Sequence, residues 1–222
     1  MKTIGVIIIL FFSVCAEAQT VTQPGPRARI DSGAVWHPPL EFREMMDGRC
    51  DSLVSPGFQK CFIALMRELG ASPQAVRFTV LTDTTGYVRH FVDAGLIGVA
   101  YVAYPFRANE NFGITLVNGR PGMIDVDDFQ FVDLTELKKD STYLKIVDAF
   151  PDASIWPGDR FHFDQPSCTP LPGGGQRFVL TYIIRNGCHA CEHIGIADFA
   201  FDFDKDGKFT GSRLVGVESL VP

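Results

Sequence analysis

Apolar residues recur at intervals of three and four through "SPGFQKCFIALMRELG", residues 55–70, with Phe58, Cys61, Phe62, Leu65, Met66 and Leu69 on one face. That spacing predicts an amphipathic helix. Ser55 is placed to cap it, Pro56 suits its first turn and Gly70 suits its end. The period then changes to two. "AVRFTVL", residues 75–81, sets Val76, Phe78 and Val80 against Ala75, Arg77 and Thr79, which reads as a strand. "GLIGVAYVAYPF", "FGITLVNG" and "GMIDVDD" come next as strands, the last two joined by the turn "NGRPG". These connections are too short for crossover helices, so an antiparallel meander is expected.

A second helical pattern runs through "LTELKKDSTYLKIVDAF", with Leu134, Leu137, Leu144, Ile146, Val147 and Phe150 on its apolar face. Asp133 and Glu136 stand at capping-box spacing before it, and Pro151 ends it. "FDQPSCTPLPGGG" reads as a long loop holding Cys168. Three strands close the chain: "QRFVLTYIIR", "HIGIADFAFDFD" and "KFTGSRLVGV". The expected fold is therefore α+β, with antiparallel β-meander sheets and two amphipathic helices. The order helix–strands–helix–strands also admits a duplicated helix-plus-meander module. Residues 19–47 carry Pro24, Pro26, Pro38 and Pro39 with little periodicity, the mark of an extended N-terminal arm. Residues 48–222 then form one α+β domain, or two subdomains divided as 48–150 and 151–222.

The first residues change the picture of where the protein works. Lys2 precedes the apolar run Ile4–Val14, and Ala16-Glu17-Ala18 puts small residues where a signal peptidase reads. Residues 1–18 are expected to be a secretory signal peptide, cut before Gln19. The apolar run stops well short of the roughly 20 residues a bilayer span needs. The expected localisation is exported, either periplasmic or extracellular, and not membrane-spanning. A net charge of −6 argues against nucleic acid as a partner, and 19 Phe argue for a packed core.

Export makes disulfides the default for cysteine. Of six cysteines, Cys15 leaves with the signal. The remainder are Cys50, Cys61, Cys168, Cys188 and Cys191, an odd number. Cys50 in the loop before the first helix is expected to bridge to Cys61. Cys188 and Cys191 are expected to bridge at the tip of a hairpin, with Cys168 left as the free thiol. Gly187 eases that turn. By period-two register, Cys191 and His193 should face the core alongside Ala197, Phe199, Phe201 and Phe203.

The stretch "CHACEH" supports two further chemistries. A Cys-x-x-Cys pair with His189 inside it suits thiol–disulfide exchange. However, the residues after Cys191 alternate like a strand, whereas a helix activates a thioredoxin-type thiol. Cys188, Cys191 and His193 could also bind zinc, with Cys168 or His162 as fourth ligand. Elsewhere, Asp202, Asp204, Asp206 and Gly207 have calcium-loop spacing. The twelfth position is Arg213, not Glu, so a tight hairpin turn is the expected structure. Asp125 and Asp127 share a strand face, and Arg107, Asn109 and Glu110 fall in a hairpin loop. Those five are the candidate ligand contacts. No nucleophile elbow, phosphate loop or zinc-protease helix occurs. The sequence thus points to an exported, disulfide-stabilised, non-enzymatic binding protein without a cofactor, its partner a protein or small molecule. Thiol–disulfide redox or zinc binding at "CHACEH" is the alternative.

Overall fold

The computed structural model describes residues 29–50, 57–82, 86–106, 112–158 and 166–221. Among them are four α-helices and two antiparallel sheets of four and five strands, an α+β fold. Ser55, Pro56, the signal segment and the loop candidates Arg107, Asn109 and Glu110 lie outside the described residues.

The N-terminal region is less of a surface arm than its prolines suggest. Asp31 caps a short 3-10 turn, Ser32–Ala34, through Gly33 N at 2.7 Å. Val35 then bridges Val88, and helix α1 spans Phe42–Arg49. Ile30, Ala34, Trp36, Phe42 and Met46 are all buried. These apolar anchors sit on short pieces on either side of Pro38-Pro39, and no single period connects them.

Helix α2 spans Phe58–Glu68 and buries Phe58, Phe62, Leu65 and Met66, the face read from the sequence. Gly70, at φ +80°, ends it; Ala71 N donates to Met66 O at 2.9 Å. Helix α3, Pro73–Leu81, replaces the strand expected at "AVRFTVL". Ser72 caps it by accepting Ala75 N at 2.9 Å, and Pro73 occupies the first turn. It buries Ala75, Val76, Phe78 and Thr79, a helical spacing, and leaves Val80 and Leu81 exposed. The Ser-Pro start signal outweighs a short alternation that fits either period.

Strands β1 (Tyr87–Asp93), β2 (Gly98–Ala103), β3 (Phe112–Val117) and β4 (Met123–Asp125) form the first sheet in chain order. Every residue of β2 is buried. Ala100 and Val102 pack with Phe78 of α3, while Val99 and Tyr101 join the core shared with the second sheet. Burial on both faces explains the unbroken apolar run. At one end of this sheet, Tyr87 and Ala103 pack with Trp36, Phe42 and Phe62 from the α1–α2 side.

The second helical segment is shorter than its apolar pattern. A 3-10 turn, Leu137–Lys139, precedes helix α4, Ser141–Ala149. Asp140 restarts the chain there, its carboxylate accepting Thr142 N at 2.8 Å and Tyr143 N at 2.9 Å. Asp133 instead accepts Thr135 N before the 3-10 turn. Replacing Asp140 by alanine should cost about 1 kcal/mol, read as a lower urea midpoint at unchanged slope. An unchanged midpoint would show that packing of Ile146 holds the helix without its cap.

The second sheet has the order β5-β7-β8-β9, with β6 also paired to β7. Its strands are β5 (Ala153–Pro157), β6 (Ser167–Pro170), β7 (Gln176–Asn186), β8 (His193–Phe203) and β9 (Phe209–Ser219). Strand β6 lies within the segment read as a loop, where two prolines mask a short edge strand. The two sheets share one core, in which Val99, Leu116 and Ile124 meet Phe178, Tyr182, Phe199 and Phe201. Gln176 links them at one edge: its Oε1 accepts Ile97 N at 2.9 Å and its Nε2 donates to Ala94 O.

Candidate functional site

Strands β7 and β8 form a long hairpin whose tip holds the Cys-x-x-Cys stretch. Asn186 N donates to Glu192 O at 3.0 Å, and Cys191 N donates to Cys188 O at 2.9 Å, a tight turn. Gly187 supplies the left-handed backbone, at φ +91°. Cys188 and Cys191 form a disulfide, their Cα atoms 5.1 Å apart. Cys188 is exposed and Cys191 half-buried.

The tip folds over the outer face of the sheet. There Ser154, Arg185 and His193 lie in one cross-strand row, with Trp156 beside Ile183 in the next. Ser154 Oγ donates to Gly187 O and accepts Trp156 Nε1 at 2.9 Å. The His189 ring stands edge-on to Trp156, with centroids 4.9 Å apart. Beneath the tip, Arg185 is only 5% exposed. Its Nη1 donates to Cys191 O at 3.4 Å, and its buried Nε has no hydrogen-bond partner among the described residues. No carboxylate among the described residues forms an ion pair with it. A guanidinium so placed is a local positive charge in a poorly solvated position.

The register of the tip differs from a straight alternation. A bulge between Ile184 and Arg185, opposite Gly195 and His193, puts Ile194 into the core. His193 is therefore exposed rather than core-facing. The four candidate zinc ligands are not brought together. Cys188 and Cys191 are spent in the disulfide, and Cys168 pairs with Phe178 at the other end of β7. The length of β7 from Phe178 to Asn186 is about 27 Å at strand rise, far beyond a shared ion. Among the described residues no group of three or more His, Cys, Asp or Glu is placed to hold a metal, and His162 lies outside them.

Among the described residues Cys168 is the free thiol, exposed on β6. It lines a cleft of about 380 Å³ between the sheets, with Val92, Asp93, Ala94, Val99, Pro166 and Ser167. Gln176 Nε2 lies 3.4 Å from its sulfur. The lining is mixed: Val92, Ala94 and Val99 are apolar, Asp93, Ser167 and Cys168 are polar, and Asp93 is engaged by Arg29 at 3.3 Å.

The carboxylate clusters serve turns. Asp125 Oδ1 accepts Asp127 N at 3.0 Å, and its Oδ2 accepts the Tyr104 hydroxyl at 3.2 Å. Asp127 is half-buried at the same turn. Asp204 Oδ1 accepts the backbone N–H groups of Asp206 and Lys208, both at 2.9 Å, and shapes the β8–β9 hairpin. Asp202 forms a two-bond pair with Arg177, at 2.7 and 2.6 Å. The backbone N–H of Lys208 first, then that of Asp206, holds the Asp204 carboxyl below its ordinary value of 3.8. The ionised form is thus favoured by folding. Its contribution is present above that ordinary value and lost as pH falls through the lowered one. Asp204→Asn should flatten the acid limb of a stability–pH curve below about pH 4; an unaltered limb would assign the slope to other carboxylates.

Ser154, Trp156 and Arg185 are the members of the site that sequence patterning does not single out. Arg185 stands at an outward strand position, yet it is buried, with its Nη1 bonded to the Cys191 carbonyl of the tip. No protein-family model, curated protein or solved structure matches this chain.

Proposed function

We propose that the chain is an exported, non-enzymatic binding protein, stabilised by disulfides, that takes a small ligand in the cleft between its two sheets. The observation that carries the reading is the cleft itself: about 380 Å³, with Val92, Ala94 and Val99 as its apolar lining and Asp93, Ser167 and Cys168 as its polar groups. Binding sites for small molecules combine an apolar lining with few polar groups in this size range. The expected ligand has an apolar body and one hydrogen-bonding end. Export is supported by the Lys2 to Ala18 pattern and by the two disulfides, Cys50–Cys61 and Cys188–Cys191. Among the described residues no helix is long and apolar enough to cross a membrane.

The probe is the dye anilinonaphthalene sulfonate, which brightens in apolar sites. One saturable site is expected on the folded protein. N-ethylmaleimide on Cys168, or a Ser167→Trp substitution, should abolish it. Absence of a saturable site, or binding indifferent to both changes, overturns the cleft as a ligand site. Export is read separately: the mass of protein recovered outside the host cytoplasm should match residues 19–222, and retention of residues 1–18 would refute it.

A further inference from the structure

We infer that Cys188–Cys191 is an exchangeable disulfide that accepts two electrons from an external dithiol, with Arg185 favouring the thiolate that leaves. The inference is independent of the cleft and of what binds there. Three observations converge on the hairpin tip. The first is access: Cys188 is exposed while Cys191 is half-buried, so attack falls on the Cys188 sulfur. The second is the buried, unpartnered Nε of Arg185, whose Nη1 bonds the carbonyl of Cys191. A buried guanidinium without an anion is unfavourable, and a thiolate at Cys191 supplies one on reduction. The third is ring size. Cys188 and Cys191 are three residues apart, against eleven for Cys50–Cys61, so the small ring constrains the unfolded chain less. Opening it therefore leaves the fold intact.

The exchange runs in two displacements. A thiolate of the dithiol attacks Cys188 Sγ and forms a mixed disulfide. The Cys188–Cys191 bond breaks, and its electron pair leaves on Cys191 Sγ, in the residue whose carbonyl Arg185 Nη1 bonds. The second thiol of the reductant loses its proton to solvent and attacks its own sulfur partner in the mixed disulfide. Cys188 leaves as thiolate and takes a proton from solvent. The dithiol is oxidised to a disulfide, and the protein gains two electrons. Stabilising the reduced form raises the reduction potential, and a better leaving thiolate speeds the first step. Ser154 and Trp156 hold the tip against the sheet through Gly187 O and His189, which keeps Arg185 covered in both states.

The native protein, equilibrated in mixtures of reduced and oxidised dithiothreitol, tests this. After acid quench and alkylation, mass mapping gives the occupancy of each bridge. Cys188–Cys191 should be half-reduced at a reduced-to-oxidised ratio about a hundredfold lower than Cys50–Cys61, with circular dichroism unchanged. Arg185→Met should move that midpoint about tenfold toward more reductant, and Arg185→Lys should restore most of it. A purely structural role for Arg185 would change stability without this charge-dependent shift. Opening of both bridges over one range overturns the inference and needs no variant. So does a midpoint that Arg185→Met leaves in place.

Discussion

Replacing Cys50 and Cys61 together by alanine should lower the stability of the folded protein by about 3 kcal/mol. The bridge joins the end of α1 to the first turn of α2, with Cα atoms 5.6 Å apart and a sequence separation of 11. In the chain-entropy account, that loop sets the size of the effect. Neighbouring contacts at the same joint are weak substitutes. Arg49 pairs with Glu68 at 2.9 and 2.7 Å, but both side chains are about half exposed, so solvent screens them. The apolar contacts of Phe42, Met46, Phe58 and Phe62 stay in place, so the variant should fold with the same near-ultraviolet spectrum. Urea denaturation should give a lower midpoint and a steeper slope, because the uncrosslinked unfolded chain exposes more surface. An unchanged midpoint would mean that the folded state carries strain equal to the entropy the bridge removes.

The fold is legible in the sequence wherever one local pattern coincides with one element. β2 is legible because both its faces are buried, which leaves no polar residue to blur the run. β7 and β8 are legible because Phe178, Leu180, Tyr182, Phe199, Phe201 and Phe203 alternate inward without interruption. α3 reads wrongly as a strand because seven residues fit both periods, and the deciding signal lies just before them in Ser72-Pro73. β1 carries Arg89 and His90 within seven residues and pairs through a bulge at that point, so its alternation is broken. The N-terminal anchors are long-range partners: Trp36 N donates to Val88 O, and Asn118 bonds both the N–H and the carbonyl of Ile30. Nothing local announces such contacts.

The candidate site divides the same way. The Cys-x-x-Cys turn is a local feature, readable from four residues. The charge beneath it comes from a strand position that would be solvated in a plain hairpin. Arg185 lies at a bulge and beneath the folded-over tip, and neither feature has a composition signature. The cleft is assembled from β1, β2 and the start of β6, segments far apart in the chain. Tertiary pairing, not pattern, creates it.

Tyr182→Ala should be more damaging than any other substitution proposed above, costing about 3–5 kcal/mol. Tyr182 is fully buried on β7 and lies between the sheets. Its ring meets Phe199 edge-on at 5.3 Å and lies 6.3 Å from Phe129. Its hydroxyl donates to Val126 O at 2.8 Å, a bond from the second sheet to the turn after β4. Alanine removes the ring from a core that the two sheets cannot refill without moving closer together, so it leaves a cavity. Phenylalanine keeps the ring and removes only the hydroxyl. The Val126 carbonyl then loses a buried donor, a cost of about 1–2 kcal/mol. The expected order of urea midpoints is therefore wild type, Tyr182→Phe, Tyr182→Ala, with the larger gap at the second step. Equal loss in both variants would make the hydroxyl, rather than ring packing, the main tie between the sheets. No loss in the phenylalanine variant would mean that water or a shifted backbone satisfies Val126, and the sheets would then be joined by apolar contact alone.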